Sequence, residues 1–96
     1  MTKEIQATLV DKHAIKDCKF PNEKIQLSTT EVSNLLIKLK VATILGNMEK
    51  IKCRIFFRDS EELKVVETTI WATCEKNIVL KAGIFIPIRR IVDVLI

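Results

Sequence analysis

Ninety-six residues, 48% of them hydrophobic and 29% charged, make one folded domain with a single core and exclude a disordered chain. Two glycines and two prolines exclude long linkers and low-complexity segments. The net charge of +4 is evenly spread, with seven Lys/Arg against five Asp/Glu in residues 1–48 and nine against seven in residues 49–96. That excludes a charged tail, and it permits an anionic partner without requiring one.

The N-terminal stretch MTKEIQATLVDKHAIKD carries charges every few residues, which is unlike a signal peptide. The longest apolar runs are too short for a membrane span, so no membrane association is expected. Cys18, Cys53 and Cys74 are odd in number and widely spaced, so they read as free thiols in a reducing, cytoplasmic setting.

Residues 1–27 read as an N-terminal arm. Ile5, Ala7 and Leu9 alternate with Glu4, Gln6 and Thr8, predicting a short strand over 4–10. Phe20-Pro21-Asn22 signals a turn, with a second short strand expected at Lys24–Leu27. Residues 28–47 carry two patterns. Ser28 with Glu31 three residues on forms a capping box, Val32, Leu35, Leu36, Leu39 and Ala42 recur at helical spacing, and Gly46-Asn47 suits a helix end. Against this, Ile37, Leu39 and Val41 alternate with Lys38 and Lys40 as in a strand. The capping signals favour a helix.

Residues 48–96 read as a β meander. In 50–58, Ile51, Cys53, Ile55 and Phe57 fall on one face and Lys50, Lys52, Arg54, Phe56 and Arg58 on the other. Asp59-Ser60-Glu61-Glu62 turns the chain into a long β-branched run over 63–74, with Val66, Thr68, Ile70, Ala72 and Cys74 on its more apolar face. Ile78 and Leu80, the turn Ala82-Gly83, and Ile84, Ile86 and Ile88 give two more strands, with Pro87 suited to an edge. Arg89 to Val92 fits a single 3₁₀ turn before a last strand at 93–96.

The expected fold is mainly β (α+β): a small SH3-like or Sm-like antiparallel barrel, preceded by a helix and an arm, with the last strand pairing with 50–58 to close it. The predicted core is Ile51, Ile55, Val66, Ile70, Ile78, Leu80, Ile86 and Ile91. The helix is expected to cap the outer sheet face through Leu35, Leu36 or Leu39 near Trp71 and Phe56.

Leu45-Gly46-Asn47, the run Val66 to Ala72 (VETTIWA), Ile78 to Lys81 (IVLK) and Ile86 to Ile91 (IPIRRI) resemble a group of short, uncharacterised bacterial proteins. The looser pattern, a strand pair followed by an IPI-R-I turn and a last strand, is similar to Sm-like and other small barrels. That likeness implies RNA binding and ring assembly, although the RNA-contacting signatures of that family have no clear match here.

Few residues offer chemistry. Lys50, Lys52, Arg54 and Arg58 in one row could follow a phosphate backbone, with Phe56 and Trp71 stacking on bases. The plainer alternative is a solvated strand face. Arg89-Arg90 could clamp an anion, or be a solvated turn whose stems cover apolar surface. The single histidine, His13, has no ligand partner at metal spacing, and no base stands ready to activate a cysteine. No glycine-rich phosphate loop is present. The expectation is a non-enzymatic module without cofactor or metal, binding a protein partner or itself, with a homodimer through leftover apolar surface as the secondary expectation. The alternative is a nucleic-acid-binding barrel.

Overall fold

A computed structural model describes residues 6–96. After a two-residue strand, Thr8–Leu9 (β1), the chain makes a 3₁₀ helix at Lys12–Asp17 and runs irregularly to the long helix Thr29–Glu49 (α1). Six strands follow: Cys53–Arg58 (β2), Leu63–Thr68 (β3), Ile70–Thr73 (β4), Asn77–Leu80 (β5), Ile84–Pro87 (β6) and Ile91–Leu95 (β7). A second 3₁₀ turn, Ile88–Arg90, separates the last two. Glu4 and Ile5 of the strand expected over 4–10 lie outside the described residues. Lys24–Leu27 pairs in no sheet, so the second short strand does not form.

The helix begins as its sequence requires. Ser28 Oγ accepts from the Glu31 N–H at 3.1 Å and Glu31 Oε1 accepts from the Ser28 N–H at 3.0 Å, which satisfies two donors that the first turn would leave open. It does not end at Gly46-Asn47. It runs on to Glu49, and Lys50 closes it in the left-handed conformation at φ 56°. Gly46 serves a different purpose: a Cβ there would stand 2.7 Å from the Ile70 carbonyl oxygen and 2.7 Å from Thr69 Cγ2. Glycine is what lets the helix touch the backbone of β4.

The strands form two sheets rather than a closed barrel. One has the order β1-β3-β2-β7 and the other β4-β5-β6. The expected long strand over 63–74 is broken at Thr69, where the chain leaves one sheet for the other. The last strand does pair with its own chain, β7 lying antiparallel to β2. Phe56 faces Asp93 but Phe57 faces Ile91, so β7 carries an extra residue there. This bulge lets Ile91 and Val94, three apart, both point inward. Pro87 ends β6, an edge strand, where a missing N–H costs no ladder bond to a further neighbour.

Helices fill the places where the sheets do not meet. Helix α1 packs on β7 and β4, each an edge strand of its sheet, and the first 3₁₀ helix packs on β6 and β3. Leu35, Leu39 and Ala42 of α1 and Ile15 of the 3₁₀ helix join Ile55, Phe57, Val66, Ile70, Ile78, Leu80, Ile86, Ile91 and Val94 in one core. Seven of the eight predicted core residues are therefore buried. Ile51 is not, at 36% exposed, because it precedes β2 rather than lying in it.

The helix also lies elsewhere than expected. It enters the core instead of capping the outer face of the sheet. Trp71 is left 47% exposed, and Phe56 is buried on the opposite face of β2, beside Val65.

Replacing Gly46 with alanine tests the close approach. Alanine gains about 1 kcal/mol in helix propensity, but the clash with β4 should cost about 1–3 kcal/mol more than that gain. Gly46→Ala should therefore unfold at lower denaturant concentration than wild type. A stabilised variant would show that α1 stands further from β4.

Candidate interaction surface

Helix α1 has two apolar faces. Its inner stripe, Leu35, Leu39, Ala42 and Gly46, is spent on the core. Half a turn away lies a second stripe at the same spacing: Ile37, Val41, Ile44 and Met48, which are 60%, 42%, 57% and 78% exposed. The intervals of four, three and four residues place all four in one line along the helix. Side contacts fix the helix in rotation and keep this line outward. Asn47 Nδ2 donates to the Trp71 carbonyl at 3.0 Å, Thr43 and Thr73 share a hydroxyl bond at 2.7 Å, and Lys38 Nζ meets Asp93 Oδ1 at 2.9 Å.

The stripe is legible in the sequence, where part of it coincides with a strand-like alternation. Residues two apart on a helix point about 200° apart. Ile37 and Val41, facing out, and Leu39, facing in, therefore alternate with Lys38 and Lys40 as a strand would. The second 4-3-4 spacing is the signal that separates the two cases.

A groove of about 590 Å³ lies beside the same helix. Ile25, Leu27, Val32, Leu36 and Ile88 supply apolar lining, with Lys24, Lys76, Arg89 and Glu75 also bordering it. On the outer face of the second sheet, Trp71 and Ala72 bulge opposite Val79, which in turn pairs with the exposed Phe85.

The four cations expected in one row do not form one. Lys50 is the helix cap, Lys52 belongs to the connection that follows, and only Arg54 and Arg58 stand on β2. Arg54 Nε pairs with Glu67 Oε2 at 3.1 Å. Phe56, the aromatic ring placed on that face, is buried and offers no open surface for stacking.

The paired arginines hold the arm to the sheets. Arg89 Nε donates to the Pro21 carbonyl at 3.1 Å, and the Arg89 carbonyl accepts from the Ile25 N–H at 2.9 Å. Arg90 is buried. Its Nε donates to the Arg58 carbonyl at 2.9 Å, its Nη1 to that of Glu23 at 2.8 Å, and its Nη2 reaches the Asp59 carbonyl at 3.5 Å. Phe20 of the arm packs a ring against Phe57, with centroids 5.9 Å apart.

The β2–β3 turn conceals one ionic cluster that reads in the sequence only as a polar turn. The Asp59 carboxylate is buried and accepts from the Glu61 and Glu62 N–H groups at 2.9 Å each and from Lys64 Nζ. Burial alone would raise its pKa. The bonds from Lys64, Glu62, Glu61 and Cys18 outweigh that and hold it at about 2. Burial pushes the Cys53 thiol up to about 11 and raises Cys18 as well, so neither sulfur is readied as a nucleophile.

Among the described residues, no three His, Cys, Asp or Glu side chains converge as a metal site, and no helix is long and apolar enough to cross a membrane. No protein-family model, curated protein or solved structure matches the chain.

The Asp59–Lys64 pair carries a pH signature. Its carboxyl ionises below the ordinary value of 3.8, so the stabilisation is present at neutral pH and is lost as pH falls through about 2. Asp59→Asn should cost about 2 kcal/mol at pH 7, read by chemical denaturation, with the gap to wild type closing on acidification. A gap independent of pH would show that the turn geometry, not the charge, stabilises the hairpin.

Proposed function

We propose that this chain is a non-enzymatic protein-interaction module whose working surface is the outward face of α1. One observation carries the reading: Ile37, Val41, Ile44 and Met48 form a continuous apolar line that contributes nothing to the chain's own core. Isolated apolar side chains on a surface are ordinary, but contiguous ones mark a contact. Supporting the non-enzymatic part, Cys18 and Cys53 are held away from the thiolate form. The three unpaired thiols suit a reducing, cytoplasmic setting. The architecture is read as an opened relative of the small SH3-like or Sm-like barrel, in which the last strand still pairs with β2.

The nucleic-acid alternative has less support, since its cations are dispersed and Phe56 is buried. Binding to heparin that weakens steeply with added salt would favour it.

The reading requires that the stripe be dispensable for folding. Ile44→Gln combined with Met48→Gln should change the unfolding free energy by no more than about 0.5 kcal/mol per site and should reduce binding of a hydrophobic dye. Measured at low protein concentration, a loss of several-fold that size would make the face structural and end the proposal.

A further inference from the structure

Building on the interaction reading of the same face, we infer that the partner is a second copy of this chain, docked with the two α1 helices antiparallel about a two-fold axis between Val41 and Ile44. Three features lead to this occupant.

The first is spacing. A repeat of four, three and four residues gives a seam along which one helix can pack on another. The interval pattern is also palindromic. Rotation about the midpoint sets Ile37 against Met48 of the other copy and Val41 against Ile44, so one patch complements itself as a two-fold interface requires.

The second is where the apolar line stops. Continued toward the helix start, the same line meets Asn34 and Thr30. A parallel pair in register would lay these polar residues in the seam. The antiparallel pair overlaps only residues 36–49 and leaves both outside. It also sets the helix dipoles in opposition.

The third is size. An overlap of fourteen residues is ~20 Å long, and two such faces would bury roughly 1,000 Å² in total, which is at the threshold of a specific interface and typical of weak ones. Lys40 falls opposite Leu45 in this arrangement, and Lys38 is already paired with Asp93, so no two like charges are forced together at the seam. The expected association is in the micromolar range.

Sedimentation from low-micromolar to sub-millimolar concentration tests it. Wild type should rise toward the mass of two chains. Ile44→Glu, placing a charge beside the axis, should weaken the dimer at least tenfold while its melting curve in dilute solution stays unchanged. Phe85→Glu, which alters an equally exposed apolar residue on the second sheet, should leave it intact. A wild type that remains monomeric throughout overturns the second-copy proposal. The interaction reading itself falls only if the stripe substitutions unfold the chain. A dimer broken by Phe85→Glu and not by Ile44→Glu also overturns it. For orientation, Ile37→Cys and Met48→Cys chains, each carrying Cys74→Ser, should form a mixed disulfide on oxidation. Met48→Cys alone should not, because the two copies of residue 48 stand ~16 Å apart along the axis. Ready self-crosslinking of Met48→Cys would make the pair parallel and overturn the two-fold placement.

Discussion

The fold depends on one contact, the seating of α1 between the edge strands β7 and β4. The three-stranded β4-β5-β6 sheet ends at β4 and the four-stranded sheet ends at β7, each with a bare edge. Leu35, Leu39 and Ala42 bring the helix into the shared core, and Gly46 removes the one side-chain atom that would hold it off the backbone. Asn47 then occupies a main-chain carbonyl of β4 that would otherwise be open to another strand. Here a helix covers both edges.

That seating has a cost on the other side. A helix with one inward stripe needs polar residues outward to remain soluble. Helix α1 has Ile37, Val41, Ile44 and Met48 instead. The two surfaces are coupled, because Lys38–Asp93 and Thr43–Thr73 fix the helix in rotation and so determine which residues face away. The exposed ion pair adds little energy by itself. Its part is in setting the angle.

Much of the architecture could be read from residue order, and the failures have physical causes. The capping box at Ser28 and Glu31, the 3₁₀ turn at Arg89-Arg90, the self-pairing of the last strand and most of the core follow from local chemistry and period, which residue types carry on their own. The break at Thr69 could not be read this way, because Val65 to Thr73 is rich in β-branched residues and has no Gly, Pro, Asn or Asp to signal a turn. Glycine serves both helix ends and close backbone approaches, and only the position of β4 decides which of the two Gly46 provides. The supposed cationic row failed because the strand starts three residues later than its alternation suggested, which moved Lys50 and Lys52 out of the sheet. Burial of Asp59 depends on Lys64 and on Cys18 from the distant arm, a meeting that no local pattern announces.

The grip of Arg90 on the arm has a consequence for how this sequence can drift. All three of its acceptors, at Glu23, Arg58 and Asp59, are main-chain carbonyls. Every residue type brings an identical carbonyl, so the contact is blind to what stands at 23 or 58. Those exposed side chains are free to change while the join between arm and sheet persists. Position 90 has no such freedom. Only a guanidinium spreads its donors across a planar fork wide enough to reach three separate peptide groups, and lysine, with its single compact ammonium, would satisfy fewer of them. In these three contacts the sequence requirement falls on position 90 alone, while Arg89 and the Phe20–Phe57 pair share in holding the arm.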